Sequence, residues 1–152
     1  MITIFTDGAS RGNPGPGGFA TILVYNQLRK EISEGFRKTT NNRMELLAVI
    51  KGLEALKKEG SEVIVYSDSK YVVDAVEQGW IWGWVKKNFT GKKNADLWQR
   101  FINVYKKHRV KLKWVKGHAG HAENERCDEL AVKSALGRNL QIDVGYEASL
   151  GS

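Results

Sequence analysis

The hydrophobic pattern divides the chain into short apolar runs and longer periodic stretches. Residues 2–8 form an apolar run of strand length. Gly12 to Gly18 reads as a turn, and Phe19–Tyr25 and Glu31–Arg37 as two more strands, together an antiparallel meander. Leu46, Val49, Ile50, Leu53 and Leu56 then recur at helical spacing. They predict a helix capped by Asn41 or Asn42, running to about Lys58 and ended by Gly60. Residues 62–67 read as a strand, and about Ser69–Gln78 as a short helix that stops at Gly79. Trp80–Lys93 is irregular or partly helical. Asn94–Lys107 reads as a helix, Lys111–Lys116 as a strand and Glu123–Leu136 as a last helix ending at Gly137. The tail from Arg138 is weakly patterned and is expected to be loosely held. Strands alternating with helices after an opening meander predict a mixed sheet with helices on its faces.

Two of the apolar runs end alike, Ile4-Phe5-Thr6-Asp7 and Val65-Tyr66-Ser67-Asp68. In strands, Phe5 shares a face with Asp7 and Tyr66 with Asp68. If the strands are parallel neighbours about 4.8 Å apart, the two carboxylates meet at one sheet edge. They then repel unless a proton or a cation intervenes, which makes the pair a candidate metal site for phosphoryl chemistry. The plainer reading is two unrelated aspartates that start turns.

Composition suits one soluble domain over residues 1–152. Of its residues 41% are hydrophobic and 27% charged, and no apolar run approaches the ~18 residues of a membrane span. No secretory signal is visible, so a cytoplasmic setting is the default expectation. The single cysteine, Cys127, excludes an internal disulfide framework and a Cys-rich zinc site. The net charge of +7 is unevenly placed. Trp82–Lys116 holds eleven Lys or Arg and one acid, Asp96, whereas the rest of the chain holds thirteen basic and sixteen acidic residues. This pattern suits a polyanion-binding arm beside an anionic centre, though a solvated lysine-rich face would give the same count. Trp80, Trp82, Trp84, Phe89 and Trp98 are interleaved with Lys86, Lys87, Lys92 and Lys93, a mixture suited to stacking and phosphate contact, with about half of these rings expected in the core.

Three more acids are candidates for a place near the aspartate pair. Glu45 lies in the first turn of its helix, in line with Val49, Gly52 and Leu56, where it also suits the helix dipole. Asp128 lies in line with Asn124, Ala131 and Val132, with Glu125 one turn earlier. His118 and His121 lie in a glycine-flanked loop, better placed for proton traffic than for packing. Hard Mg²⁺ with carboxylate and phosphate oxygens fits this residue set better than zinc.

Four blocks then fall in order: Thr6-Asp7-Gly8-Ala9-Ser10 with Gly12-Asn13-Pro14-Gly15; Thr39 to Glu45; Tyr66-Ser67-Asp68-Ser69; and Trp114 to His121 with Asn124 to Asp128. Along nearly its full length the chain resembles ribonuclease H of type 1 in its bacterial form. The resemblance implies a five-stranded mixed sheet of order 3-2-1-4-5, with strands 1–3 an antiparallel meander and helices on both faces. It implies an endoribonuclease that hydrolyses the RNA strand of RNA·DNA hybrids with two Mg²⁺ ions, Mn²⁺ being a substitute, to leave 5′-phosphate and 3′-hydroxyl ends. Asp7, Glu45, Asp68 and Asp128 match the metal-binding carboxylates, with Asp7 bridging both ions, Glu45 and Asp68 completing one and Asp128 the other. His118 matches a residue that aids proton transfer or product release, and Glu125 a supporting acid. Asn13, Asn41, Thr40, Arg43 and Lys70 are the implied contacts near the minor groove and a DNA phosphate. Trp80, Trp84, Trp98, Lys86 and Lys87 are the implied contacts of the arm, about residues 82–93.

The chain departs from the pattern at Gly83, where an asparagine is frequent, and at Lys70, where a glutamine is frequent. The arm between Lys87 and Asn94 is a few residues short. These departures touch hybrid affinity rather than the chemistry. A monomer with no obligate protein partner, no membrane association, no added hybrid-binding module and no fused polymerase is expected. The alternatives are a nuclease of the same fold acting on DNA, a non-catalytic hybrid-binding module and a basic scaffold protein.

Overall fold

The computed structural model describes residues 1–116 and 121–150. Five strands form one sheet: β1 (Ile2–Ser10), β2 (Gly15–Tyr25), β3 (Leu28–Thr39), β4 (Glu62–Ser67) and β5 (Arg109–Trp114). Their order is β3-β2-β1-β4-β5. β1–β2 and β2–β3 are antiparallel, and β4 lies parallel to both β1 and β5. Among the described residues six helices accompany the sheet: α1 (Asn41–Glu54), α2 (Lys70–Glu77), α3 (Trp80–Lys86), α4 (Ala95–Tyr105), α5 (Ala122–Ala135) and α6 (Val144–Leu150).

The larger core lies between one sheet face and α1, α2 and α4, built from Ile4, Val63, Val65, Leu46, Val49, Ile50, Val72 and Phe101. On the other face Ile22 and Ala20 pack against Cys127 and Ala131 of α5. Helices thus cover both faces, as the resemblance implies.

Several boundaries differ from the pattern-based expectation. β2 starts at Gly15, because Gly15–Gly18 belong to the strand and only residues 11–14 form the bend. A Cβ on Gly18 would lie 2.5 Å from the carbonyl oxygen of Ala131, so α5 rests directly on the bare backbone. β3 starts early at Leu28, since Tyr25 pairs with Leu28 across a tight turn with Asn26 at φ 54°. α1 is capped by Thr40, whose Oγ1 accepts the Arg43 N–H at 3.3 Å. Asn41 instead gives its own N–H to Asn13 Oδ1 at 3.1 Å. α1 also ends early, at Glu54, and Gly60 serves the turn into β4, donating its N–H to the Lys107 carbonyl at 2.7 Å.

The tail is docked rather than loose. Gln141 pairs with the edge of β3, its carbonyl accepting the Arg37 N–H and its N–H donating to the Gly35 carbonyl. Asp143, 7% exposed, accepts from Thr39 Oγ1 at 2.6 Å and from the Arg43 guanidinium at 2.8 Å. A short helix, α6, follows.

Candidate metal centre

β1 and β4 run side by side until Phe5 pairs with Tyr66, whose rings stack at 5.5 Å. β4 ends at Ser67 while β1 continues along β2, so Asp68 lies where the two strands part company beside Asp7. Glu45 reaches the same place from the first turn of α1, which approaches closely because residue 8 has no side chain. A Cβ on Gly8 would lie 2.4 Å from the Glu45 nitrogen. Carboxylate oxygens of Asp7, Glu45 and Asp68 all lie within 4.8 Å of one another. Asp128, from α5, adds both its charge and a hydrogen bond to Asp7. Asp7 feels the charges of both Asp68 and Asp128, and Glu45 those of Asp7 and Asp68.

The electrostatics are those of a cluster of like charges. Burial, then the charges of Asp68 and Asp128, push the Asp7 carboxyl up to about 8, against an opposing hydrogen bond from the Gly8 N–H at 2.8 Å. Burial, then Asp7 and Asp68, hold the Glu45 carboxyl well above its ordinary range. Among the described residues no Lys or Arg pairs with Asp7, Glu45 or Asp68. Glu45 Oε1 and Asp68 Oδ1 are buried without a hydrogen-bond partner. Buried oxygens left unpaired and negatively charged fit a hard divalent cation, which would satisfy both deficits. The only cysteine is no ligand candidate: Cys127 donates to the Phe5 carbonyl, and burial keeps its thiol protonated.

The backbone that carries Asp68 is anchored from β5. The Trp114 indole N–H donates to the Asp68 carbonyl at 3.1 Å, and the Lys70 ammonium sits 4.7 Å over the same ring. Ser69 caps α2 through its Oγ, and Ser67 Oγ accepts the Ser69 N–H. Trp114 and Ser67 belong to two of the motif blocks without a role of their own there, and their pairing across β4 and β5 brings them together here.

The other sequence candidates scatter. His118 lies outside the described residues. Glu125 is exposed on the first turns of α5. Asn13, Thr40, Asn42, Lys92 and Lys93 line one cleft of about 630 Å³, bringing the β1–β2 connection, the start of α1 and the arm together. Asn41 is exposed beside Asn13. Lys86 and Lys87 are exposed, as is Trp80 at 53%. One expectation is corrected by burial. Trp98 is fully buried, its indole N–H on Tyr71 Oη at 2.9 Å, so it is a core residue and not a stacking platform. Arg43, only 3% exposed, lines the same cleft with its guanidinium held by Asp96 and Asp143. Trp84 is intermediate: it meets Trp98 edge-on at 5.3 Å and carries Lys92 over its ring at 4.3 Å.

Residues 1–136 match the RNase H family model. The chain belongs to the ribonuclease H family. It is 55% identical over 148 residues to a ribonuclease H of Desulforamulus reducens, covering 94% of this chain and 92% of that one. It is 52% identical to a ribonuclease HI of Shewanella oneidensis over 153 aligned positions, covering 97% and 96%. Among solved structures, LC9-RNase H1 superposes with a TM-score of 0.82 at 32% identity, covering 99% of this chain and 81% of that one. LC11-RNase H1, solved in complex with an RNA/DNA hybrid, gives a TM-score of 0.68 at 25% identity, covering 89% and 96%. The ribonuclease H assignment is to type 1, in its bacterial form. Endonucleolytic cleavage of RNA within RNA·DNA hybrids is the activity of this ribonuclease H domain, and that activity depends on a divalent metal.

Proposed function

We propose that Asp7, Glu45, Asp68 and Asp128 hold two Mg²⁺ ions, which Mn²⁺ can replace, and that hydrolysis leaves 5′-phosphate and 3′-hydroxyl ends. The observation that carries this reading is the buried, unpartnered pair Glu45 Oε1 and Asp68 Oδ1 within the three-carboxylate cluster. An all-oxygen donor set favours a hard cation over zinc or copper. Bound there, such ions acidify coordinated water and offset the charge that develops on the departing 3′ oxygen. Asp7 is the shared ligand in this reading, supported by its electrostatic coupling to Glu45, Asp68 and Asp128. Trp114 holds the Asp68 carbonyl in place, and His118 moves a proton or assists product release. Glu125 has a supporting role.

The hybrid lies across the cleft lined by Asn13, Thr40, Lys92 and Lys93, with Asn13 and Asn41 near the 2′-hydroxyls that mark RNA. Trp80, Lys86, Lys87 and Lys70 complete the binding surface. These groups read backbone rather than base edges, so sequence preference is weak. The protein works as a cytoplasmic monomer. No helix of the described residues is long and apolar enough to cross a membrane.

Incubation of an end-labelled RNA·DNA hybrid with Mg²⁺, beside RNA duplex, DNA duplex and single strands, tests the reading. Internal cuts in the hybrid's RNA strand alone, with 3′-hydroxyl ends and none in chelator, are expected. Comparable cutting of DNA duplex, or cutting in chelator, contradicts it.

Changing Lys86, Lys87, Lys92 and Lys93 together to Ala is expected to raise KM for hybrid far more than it lowers kcat. The log–log salt dependence of binding should become shallower by roughly one unit for each phosphate that no longer has a lysine partner. Trp80→Ala, which removes an exposed ring, is expected to weaken binding by about 1–3 kcal/mol with little change in that slope. Trp114→Phe keeps a ring but removes the N–H on Asp68. It is expected to lower kcat about 3–10-fold with little change in KM, the effect corresponding to one hydrogen bond. Steady-state kinetics on a single hybrid check all three.

A further inference from the structure

Four buried side-chain atoms have no hydrogen-bond partner among the described residues: Glu45 Oε1, Asp68 Oδ1, Asn124 Oδ1 and His108 Nδ1. The first two belong to the carboxylate cluster. His108 immediately precedes β5, which runs parallel to β4, so it lies at the opposite edge of the sheet from Asp68. Asn124 is on α5, and the contacts of that helix fix its place. His121, at the N-cap, stacks on Tyr66 of β4 at 6.4 Å. Cys127 donates to the Phe5 carbonyl at 3.3 Å, and Asp128 bonds to Asp7, both on β1. Asn124 follows His121 by three positions and precedes Cys127 by three and Asp128 by four, the spacing of one helix face. It therefore stands where α5 passes from Tyr66 to Asp7. Phe5 pairs with Tyr66 there, and Asp68 comes two residues after Tyr66. Glu45 reaches the cluster from α1, and Asn124 borders it from the α5 side.

We propose that Asn124 is a positioning residue of the metal centre, its Oδ1 accepting a hydrogen bond from the coordination water of a cation held by Asp7 and Asp128. The proposal rests on the two-ion reading above. Three features point to such a partner. The first is the missing donor. A buried amide oxygen without one is destabilising, and ionised carboxylates are acceptors only, so the cluster itself supplies none. The second is the chemistry of the cation. Mg²⁺ keeps several waters when carboxylates bind it, and each water presents donors to the surrounding protein. The third is neutrality. An amide adds an acceptor without another negative charge, in a cluster where burial and like charges already oppose ionisation of Asp7 and Glu45. A side chain that merely faced solvent from α5 would not have its oxygen buried.

The test titrates Mg²⁺ alone into metal-free parent, Asn124→Ala, Asn124→Asp and Asp7→Asn. Backbone amide shifts and thermal midpoints are recorded, with cleavage of one hybrid measured across the same Mg²⁺ range. Asn124→Ala is expected to weaken Mg²⁺ binding roughly threefold to tenfold, the effect of one hydrogen bond. The Mg²⁺ needed for half-maximal cleavage should rise by the same factor, with KM for hybrid unchanged at saturating Mg²⁺. In chelator the midpoint of this variant should equal or exceed that of the parent, because alanine suits a helix and no unpaired oxygen stays buried. Asn124→Asp keeps an oxygen at this place. It is expected to bind Mg²⁺ at least as tightly as the parent and to melt lower in chelator, from the added repulsion. Mg²⁺ binding by Asn124→Ala equal to that of the parent overturns the proposal, whether its midpoint falls or KM for hybrid rises. So does weaker binding that Asn124→Asp fails to restore. A parent that binds no more Mg²⁺ than Asp7→Asn overturns the two-ion reading, and this proposal with it.

Discussion

Asp7→Asn is expected to abolish cleavage and to leave hybrid binding mostly intact. Asp7 is the carboxyl whose electrostatics couple to Glu45, Asp68 and Asp128, and a neutral amide lacks the charge to hold cations there. The same change stabilises the metal-free fold. The Asp7 carboxyl has its folded pKa raised to about 8 from 3.8, so the folded state holds the proton more tightly than the unfolded state. Its contribution to stability is fully present below about pH 4 and is lost as pH rises towards about 8. Metal-free parent protein should thus lose stability between about pH 5 and pH 8, inside the window these two pKa values define, while the Asn variant loses less. Even one unit of that elevation is about 1.4 kcal/mol, or roughly 3–5 °C in the thermal midpoint for a chain of this size. Thermal melts in chelator across this range check the sign, and hybrid cleavage checks the loss of activity. A variant that turns over normally removes Asp7 from the centre.

Arg43→Ala is expected to cost about 3–5 kcal/mol of stability, the range for breaking one side of a buried ion pair. Arg43 is 3% exposed and binds Asp143 with Nε and Asp96 with Nη2, each at 2.8 Å. Its removal leaves the buried Asp143 carboxylate facing only Thr39 Oγ1 and the Tyr146 N–H. It also breaks the tie between α1, α4 and the tail. Denaturant unfolding of parent and variant measures the effect. If Arg43 served a substrate phosphate instead, KM for hybrid would rise with stability unchanged.

The centre was legible because its members lie at readable places. Asp7 and Asp68 each close a similar apolar run in the sequence, and the pairing of Phe5 with Tyr66 follows from matching those runs. Glu45 was visible as an acid bordering the apolar stripe of α1. Gly8, the residue that lets α1 close on β1, offered no signal beyond its place in the motif. Arg43 illustrates what pattern cannot supply. Its partner Asp143 lies a hundred positions away in a stretch with no periodicity, so neither the ion pair nor the docked tail has a local signature. The same lack of signature hid the anchoring of Asp68 by Trp114.

The tryptophans divide for a physical reason that periodicity partly carries. Trp98 shares a helical stripe with Phe101, Ile102 and Tyr105, which is the mark of a core-facing position. Trp80 starts a short helix after Gly79, φ 77°, and its ring stays in solvent. Charge alone treated both as parts of one arm. The early start of β2 has a similar origin. Glycine suits turns, but Gly17 and Gly18 are in a strand because Thr39 and α5 leave no room for a side chain.

Titrating Mg²⁺ into the metal-free protein, with heat and backbone amide shifts recorded for parent and Asp7→Asn, tests the carboxylate centre most directly. Saturable binding is predicted for the parent, with the largest shifts at Gly8, Glu45 and Ser69, and loss of that binding in the variant. Equal binding by both proteins, or shifts centred away from these residues, contradicts a metal centre at Asp7, Glu45 and Asp68.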